Sequence, residues 1–363
     1  MLIEEFNYEL PEELIAQNPL NPRPLAKLMV LNRETGLVEH HHFSDLPQIL
    51  KAGDILVLND TKVIPARLLG QKTLTGGHVE VLLLQPQDLN FTSTGLWQNK
   101  WLTIGSPRLK VGEEVMFSDE LKAKAIEETE TGSVLEFNLS GEALRSAVYA
   151  IGEMPIPPYI KNTSLNQNSL QKEYQTVYAE REGSVAAPTA GLHFDNDLLE
   201  ELKNKGIQIL YITLNVGFGT FKPIKVNEVS DHKMDAEYYE IKPDVSDILN
   251  VAKKEGKNII AVGTTATRTL ESAANEKGVL DKLSGWTSIF IYPGYHYKFI
   301  TELITNFHLP NSTPLMLTSA FAAQPYLGKE GWQKGRDIVI NAYKEAIENK
   351  YRFYSFGDGM LIK

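Results

Sequence analysis

From about residue 190 onward, short apolar runs alternate with stretches of helical periodicity. IQILYITL (207–214), NIIAVG (258–263) and TSIFIY (287–292) predict strands, and DILVLN (54–59) and HVEVLLL (78–84) extend the pattern upstream. DNDLLEELKNKG (195–206), TATRTLESAANEKG (265–278) and GRDIVINAYKEAIENK (335–350) predict helices. Near-continuous Val/Ile/Leu runs are what strands covered on both faces require. Strands that alternate with helices therefore predict an α/β layer.

Residues 70–150 break this pattern, with short strands, glycine turns at TGG (75–77), Gly105, Gly112, Gly132 and Gly141, and little helical periodicity before residue 141. They predict a small antiparallel β unit. For a chain of 363 residues, two domains is the ordinary expectation. The boundaries expected are 1–65 with 153–363 for the α/β main domain, and 66–152 for an inserted domain. Proline-rich MPIPPYI (154–160) would return the chain as an extended segment, and KNTSLNQNSLQ (161–171) reads as a polar, mobile loop.

Composition narrows the chemistry. Zero cysteines exclude thiolate catalysis, disulfides and cysteine-ligated metals. Glu4, Glu5, Glu9, Glu12 and Glu13 precede any basic residue, unlike the basic start of a signal peptide. No apolar run approaches the roughly 18 residues of a membrane span, so the expected location is cytoplasmic. The net charge of −10 means that any nucleic acid must be met by a local basic patch. The run His40–His42 cannot aim three rings at one ion from a strand, because neighbours alternate, and H-E-x-x-H is missing. A metal-independent protein is expected.

Five segments place small and polar residues beside strands, where a ligand is more easily accommodated than in a core. SVAAPTAGLHF (184–194) offers Thr189, Gly191 and His193 ahead of a helix start. LNVGFGTFKPI (214–224) offers Gly217, Gly219 and Thr220, but lacks the Lys-Ser/Thr of a phosphate loop; a bulge explains its glycines equally well. AVGTTATRTLES (261–272) sets Thr264, Thr265 and Arg268 at a strand-to-helix turn suited to hydroxyl or carboxylate recognition. A helix cap with Glu271 pairing Arg268 is the equal alternative. HKMDAEYYEI (232–241) brings His232, Asp235 and Glu237 together; in a strand His232 and Glu237 would face apart, and in a loop they would not. LITNFHLPNST (303–313) sets Asn306 and His308 on one face of a strand, either as a polar site or as a satisfied buried pair.

All of these segments but HKMDAEYYEI, with NDTKVIPARL (59–68), EYQTVYA (173–179), FIYPGY (290–295) and YRFYSFGDGMLI (351–362), resemble the S-adenosylmethionine:tRNA ribosyltransferase-isomerases of queuosine synthesis nearly end to end. The resemblance implies an α/β main domain with an inserted small antiparallel β-barrel. It implies transfer and isomerisation of the ribosyl part of S-adenosylmethionine onto 7-aminomethyl-7-deazaguanine at the tRNA wobble position. The product is epoxyqueuosine, with adenine and methionine released. S-adenosylmethionine is then a co-substrate, and no bound cofactor or metal is expected. Partners are the precursor tRNA and S-adenosylmethionine, with no membrane and a monomer at work.

On this reading His232 is the leading base, with His193 and Glu237 as rivals. Thr189, Gly191, Gly217, Gly219, Thr220, Thr264, Thr265, Arg268, Asn306 and His308 would bind the donor, with Tyr292 and Phe307 against adenine or the sulfonium. Lys62, Arg67 and Arg352 would meet tRNA phosphates. Two departures from the family pattern stand out. Arg23-Pro24-Leu25-Ala26-Lys27 replaces a usual Arg-Asp-x-Ser-Arg, and Asp235 stands where a second histidine is common. A family member with lost or altered activity, acting as an RNA-binding protein, is the alternative. A methyltransferase is disfavoured by the missing glycine-rich first turn.

Overall fold

The computed structural model describes residues 1–87, 96–217, 219, 224–326 and 331–363. A nine-stranded mixed sheet runs in the order Ser284–Thr287, Glu237–Glu240, Gln208–Leu214, Ile55–Asn59, Ile259–Val262, Glu302–Asn306, Gly359–Ile362, Lys27–Leu31 and Val38–His42. Its centre is parallel: Ile55–Asn59 pairs with Gln208–Leu214 and Ile259–Val262, and Ile259–Val262 with Glu302–Asn306.

The apolar runs are continuous because both faces of this centre are covered. Ile55, Val57, Ile259 and Ala261 point into one core, with Leu210, Ile212 and the helices Gly263–Ala273 and Thr313–Ala322. Leu56, Leu58, Ile260 and Val262 point into the other, with Leu198, Leu199 and Leu202 of the helix Asn196–Asn204. That helix starts at Asp195, whose side chain accepts from the amide of Leu198 at 2.9 Å.

Six antiparallel strands close a barrel in the order Ser133–Phe137, Lys100–Ser106, His78–Pro86, Arg67–Lys72, Glu114–Met116 and Lys122–Glu128. Alternate residues fill it, including Leu68, Val79, Val81, Leu83, Trp101, Val115 and Leu135, and closure removes free strand edges. The fold class is thus the α/β layer with an inserted small barrel. The chain enters and leaves the barrel at Arg67 and Glu153, whose backbones pair at 3.2 and 2.8 Å.

Three expectations for local structure are corrected. TSIFIY is not a strand: pairing ends at Thr287, and the following residues pack their side chains rather than continue a ladder. Residues 161–171 are not all loop: Asn166 accepts from the amide of Ser169 and starts the helix Gln167–Glu173, which Leu170 anchors in the core. The helix expected from 265 begins at Gly263 and ends at Ala273. Gly263 supports that early start with φ +90°, a backbone conformation that costs glycine little.

Candidate active site

The four central parallel strands all end at the same edge, where open α/β sheets collect their ligands. Asn59 organises that edge. Its Nδ2 donates to the carbonyl of Leu214, and its Oδ1 accepts from the amides of Leu214 and Thr61, each at 3.0–3.1 Å. The Ser184 hydroxyl joins Thr61 Oγ1 at 2.7 Å and accepts from the amide of Val216 at 2.7 Å. NDTKVIPARL and SVAAPTAGLHF therefore supply the polar ties that fix three loops in place.

Above this edge lies a cleft of adjoining chambers. The inner one is lined by 186–190, Val216, 263–265, 305–309 and the rings of Tyr159, Tyr174 and Tyr354. Tyr159, Leu309, Ser312 and Pro314 continue into a roomier chamber, also open to the surface, that holds Gly219, His232, Asp235 and Glu237. A third, small chamber is lined by Met234, Thr264, Thr265, Arg268, Phe290 and Thr313, among others.

Of the expected donor-binding residues, Thr189, Thr264, Thr265, Asn306 and His308 line the inner chamber. Thr189 Oγ1 donates to Asn306 Oδ1 at 2.8 Å, and Asn306 Nδ2 lies 3.0 Å from His193 Nε2. His193 is outside the cleft, buried at 4% exposure and packed on Phe43 with ring centroids 4.3 Å apart. Burial, and then the nearby Arg352 and Arg23, push its pKa down to about 3.

His308 and Asn306 do not share a strand face, because the strand ends at Asn306 and alternation stops there. The His308 ring meets Thr305 at 3.1 Å and Tyr343 at 3.2 Å, and burial lowers its pKa to about 3. Thr220 lies outside the described residues. Gly191 leaves room for the protein rather than for a ligand, since a Cβ there would stand 2.0 Å from the Tyr178 hydroxyl. Gly217 donates its amide to Glu237 at 2.9 Å, and Gly219 abuts Asp235 in the roomier chamber.

His232 follows the short turn Val229–Asp231 and lies in a loop, as the strand begins only at Glu237. The same-face objection to His232 and Glu237 therefore does not apply. His232 meets Phe290 edge-on at 5.1 Å. Desolvation lowers its pKa, and Asp235 opposes that shift. Glu237 is buried in an ion pair with Arg268. Glu271 does not pair with Arg268; it is buried and accepts from the amides of Lys298, Phe299 and Ile300.

Of the two expected aromatic contacts, Phe307 borders the inner chamber and Tyr292 does not. Phe307 is fully buried, with Tyr343, Tyr351 and Phe353 around its ring. Tyr292 packs on Phe290, and it is Phe290 that lines the cleft. Tyr159 and Tyr354, whose ring centroids lie 4.3 Å apart, face the inner chamber. Burial raises the Tyr159 pKa to about 12, so it is a neutral phenol. Sequence reasoning missed Tyr159, Tyr354, Met234 and Phe290, although all four lie in segments that had been singled out or directly adjoin them.

Among the expected phosphate contacts, Arg67 is engaged by Glu153 at 2.7 Å and Glu80 at 2.8 Å. Arg352 pairs with Asp358 at 3.3 Å and donates to the carbonyl of Asn18. Lys62 has no ion pair among the described residues. Arg23 is likewise structural, donating to the carbonyls of Gln175 and Lys172. Among the described residues, no group of three His, Asp or Glu side chains could hold a metal ion, and no helix is long and apolar enough to cross a membrane.

Known proteins resemble this chain along its whole length. The family described as "Queuosine biosynthesis protein" matches residues 3–362. A protein of Halothermothrix orenii named S-adenosylmethionine:tRNA ribosyltransferase-isomerase is 50% identical, with all of both chains covered. One of the same name from Staphylococcus haemolyticus is 48% identical, again over all of both. The crystal structure of the S-adenosylmethionine tRNA ribosyltransferase of Thermotoga maritima is 33% identical, with a TM-score of 0.53, over 99% of this chain and 100% of that one. Full-length matches of this extent leave one conclusion: this chain belongs to the queuosine biosynthesis family of S-adenosylmethionine:tRNA ribosyltransferase-isomerases.

Proposed function

We propose that the cleft at the strand ends is where this chain carries out its family's reaction. The ribosyl part of S-adenosylmethionine passes to the aminomethyl group of 7-aminomethyl-7-deazaguanine at the tRNA wobble position. Epoxyqueuosine-tRNA forms, and adenine and methionine leave. The observation that carries this reading is that one continuous cleft joins a threonine-lined inner chamber to an accessible histidine.

The chemistry asks for little beyond a base, a proton source and an oriented donor. A sulfonium acidifies the adjacent methylene, so a positioned base can take a proton there. Adenine is then expelled, the neutral amine attacks, the ring rearranges and methionine departs. His232 is the base in this scheme. It sits in the roomier chamber, and desolvation keeps it neutral near pH 7, the form a base needs. Glu237 is a positioning residue, because its carboxylate already holds Arg268 and Gly217. His193 positions Asn306 from behind the cleft wall.

Adenine fits the inner chamber, where Tyr159 and Tyr354 offer ring faces and Thr189 and Asn306 offer polar groups. The modified base must leave the anticodon stack to reach the roomier chamber. Residues 1–65 with 153–363 would form the catalytic domain, and 66–152 the inserted one. We read the working enzyme as a monomer, placed in the cytoplasm by its tRNA substrate. The alternative, an RNA binder without activity, loses support because Arg67 and Arg352 are held by carboxylates of the protein itself. Incubation with precursor tRNA and labelled S-adenosylmethionine, followed by nucleoside mass analysis, tests the reading. Epoxyqueuosine with free adenine and methionine supports it, and unchanged nucleosides overturn it.

A further inference from the structure

We propose that the small chamber beneath Phe290 is the seat of the donor's methionyl carboxylate, held by Arg268 and Thr265 between two helix N-termini. This deepens the reading that S-adenosylmethionine enters the cleft, and rests on it.

The helices Gly263–Ala273 and Thr313–Ala322 both begin at this chamber, since Thr264, Thr265 and Thr313 line it. Neither has a side chain capping its first turn. The Ser312 hydroxyl, which precedes the second helix, donates instead to the carbonyl of Leu309 at 2.7 Å. The first amides of a helix lack intrahelical acceptors and carry its positive end. Two such ends converging on one small space favour an anion.

The second observation is independent. The Arg268 side chain is 9% exposed. Its Nη1 bonds Glu237, and its Nε donates to the carbonyl of Ile289 at 3.3 Å. Its Nη2 is buried and has no hydrogen-bond partner among the described residues, and neither has Thr265 Oγ1. An unsatisfied guanidinium nitrogen shielded from water is costly. A ligand oxygen at this point removes the cost.

Charge selects the ligand. Glu237 neutralises Arg268, so the remaining positive potential comes from the helix ends and from the dipole of the free N–H. That suits one compact carboxylate rather than a second arginine-bound dianion. The carboxylate is the only anionic group of S-adenosylmethionine. Met234 and Phe290 supply an apolar and aromatic wall for the methylene chain and the sulfonium beside it.

Decarboxylated S-adenosylmethionine, in which only that carboxylate is lost, is the probe. Both donors are turned over with precursor tRNA by the wild-type chain, by Thr265→Val and by Arg268→Lys. Wild type is expected to prefer the natural donor by a factor on the order of 100 or more in kcat/KM, because its polar groups are left unmatched by the probe. Thr265→Val leaves the ion pair untouched and should raise KM for the natural donor several-fold, with little change for the probe. Arg268→Lys keeps a charge beside Glu237 but removes the free Nη2, and should erase most of the preference.

Equal use of both donors by wild type overturns the proposal, as does equal loss for both donors in the two variants. A raised KM for tRNA with an unchanged KM for S-adenosylmethionine also overturns it, by assigning the chamber to an RNA phosphate. Release of adenine from the natural donor by wild type checks the underlying reaction separately. If wild type makes no product at all, the functional reading has failed rather than the placement of the carboxylate.

Discussion

Asn306 Nδ2 lies 3.0 Å from His193 Nε2, so the buried imidazole is an acceptor and is held neutral. Its folded pKa, about 3, lies below the unfolded value of 6.5. Between those values the unfolded chain binds more protons, so this histidine makes stability fall as pH falls from 6.5 toward 3. The loss attributable to it reaches about 2 kcal/mol by pH 5. Urea midpoints at pH 7 and pH 5 should therefore converge in His193→Gln relative to the parent chain. For His232, proposed as the base, a different sign rule applies. A base works when deprotonated, so the single-turnover rate falls as pH drops through its pKa, which desolvation holds below the ordinary imidazole value. His232→Gln should lower that rate by roughly 100-fold or more and remove this acid limb. An unchanged profile in the variant would transfer the role to another group.

At the scale of elements, the helices Thr313–Ala322 and Gly331–Glu348 approach each other closely. Gly335 makes the contact: a Cβ there would stand 2.4–2.5 Å from the Cβ, Cα and N of Ala323. Alanine in place of a helical glycine ordinarily gains about 1 kcal/mol. Here the opposing atoms include backbone and cannot swing aside, and overpacking costs about 1–3 kcal/mol. Gly335→Ala should thus be destabilising by up to about 2 kcal/mol, seen as a lower urea midpoint at unchanged slope. The strands and helices themselves were legible from the alternation of Val/Ile/Leu runs with helical periodicity. TSIFIY was misread because an apolar run gives the same signal whether its residues join a ladder or merely pack. The helix inside 161–171 was missed because its only apolar anchor is Leu170.

For the whole molecule, the barrel must be held against the sheet if both are to meet one tRNA. Glu182 is the clasp. It accepts from Trp97 Nε1 at 3.0 Å, from Arg145 Nη2 at 2.8 Å and from the Tyr149 hydroxyl at 2.8 Å. Its pKa is lowered despite desolvation, chiefly because Arg145 bonds the charged form. Glu182→Ala strands three donors and should cost roughly 2 kcal/mol, with faster proteolysis at the barrel junctions. The net charge of −10, together with arginines committed to internal carboxylates, implies few phosphate contacts. Affinity for precursor tRNA should therefore fall gently with salt, with a slope corresponding to only ~3–5 phosphates.

The sequence alone settled the α/β layer, the inserted β unit and the segments that surround the cleft, because burial pattern and turn chemistry are local and periodic. It did not settle which residues in those segments face a ligand. Arg67 and Arg352 are equally basic in the sequence, yet each is neutralised by carboxylates folded against it. His193 and His232 carry the same ring, yet one is sealed behind Asn306 and the other opens into the cleft. Only tertiary structure decides such matters, because hydrogen-bond partners and desolvation come from residues far away along the chain. The Arg268 nitrogen left between two helix ends without a partner among the described residues is the consequence that no spacing in the sequence could have disclosed.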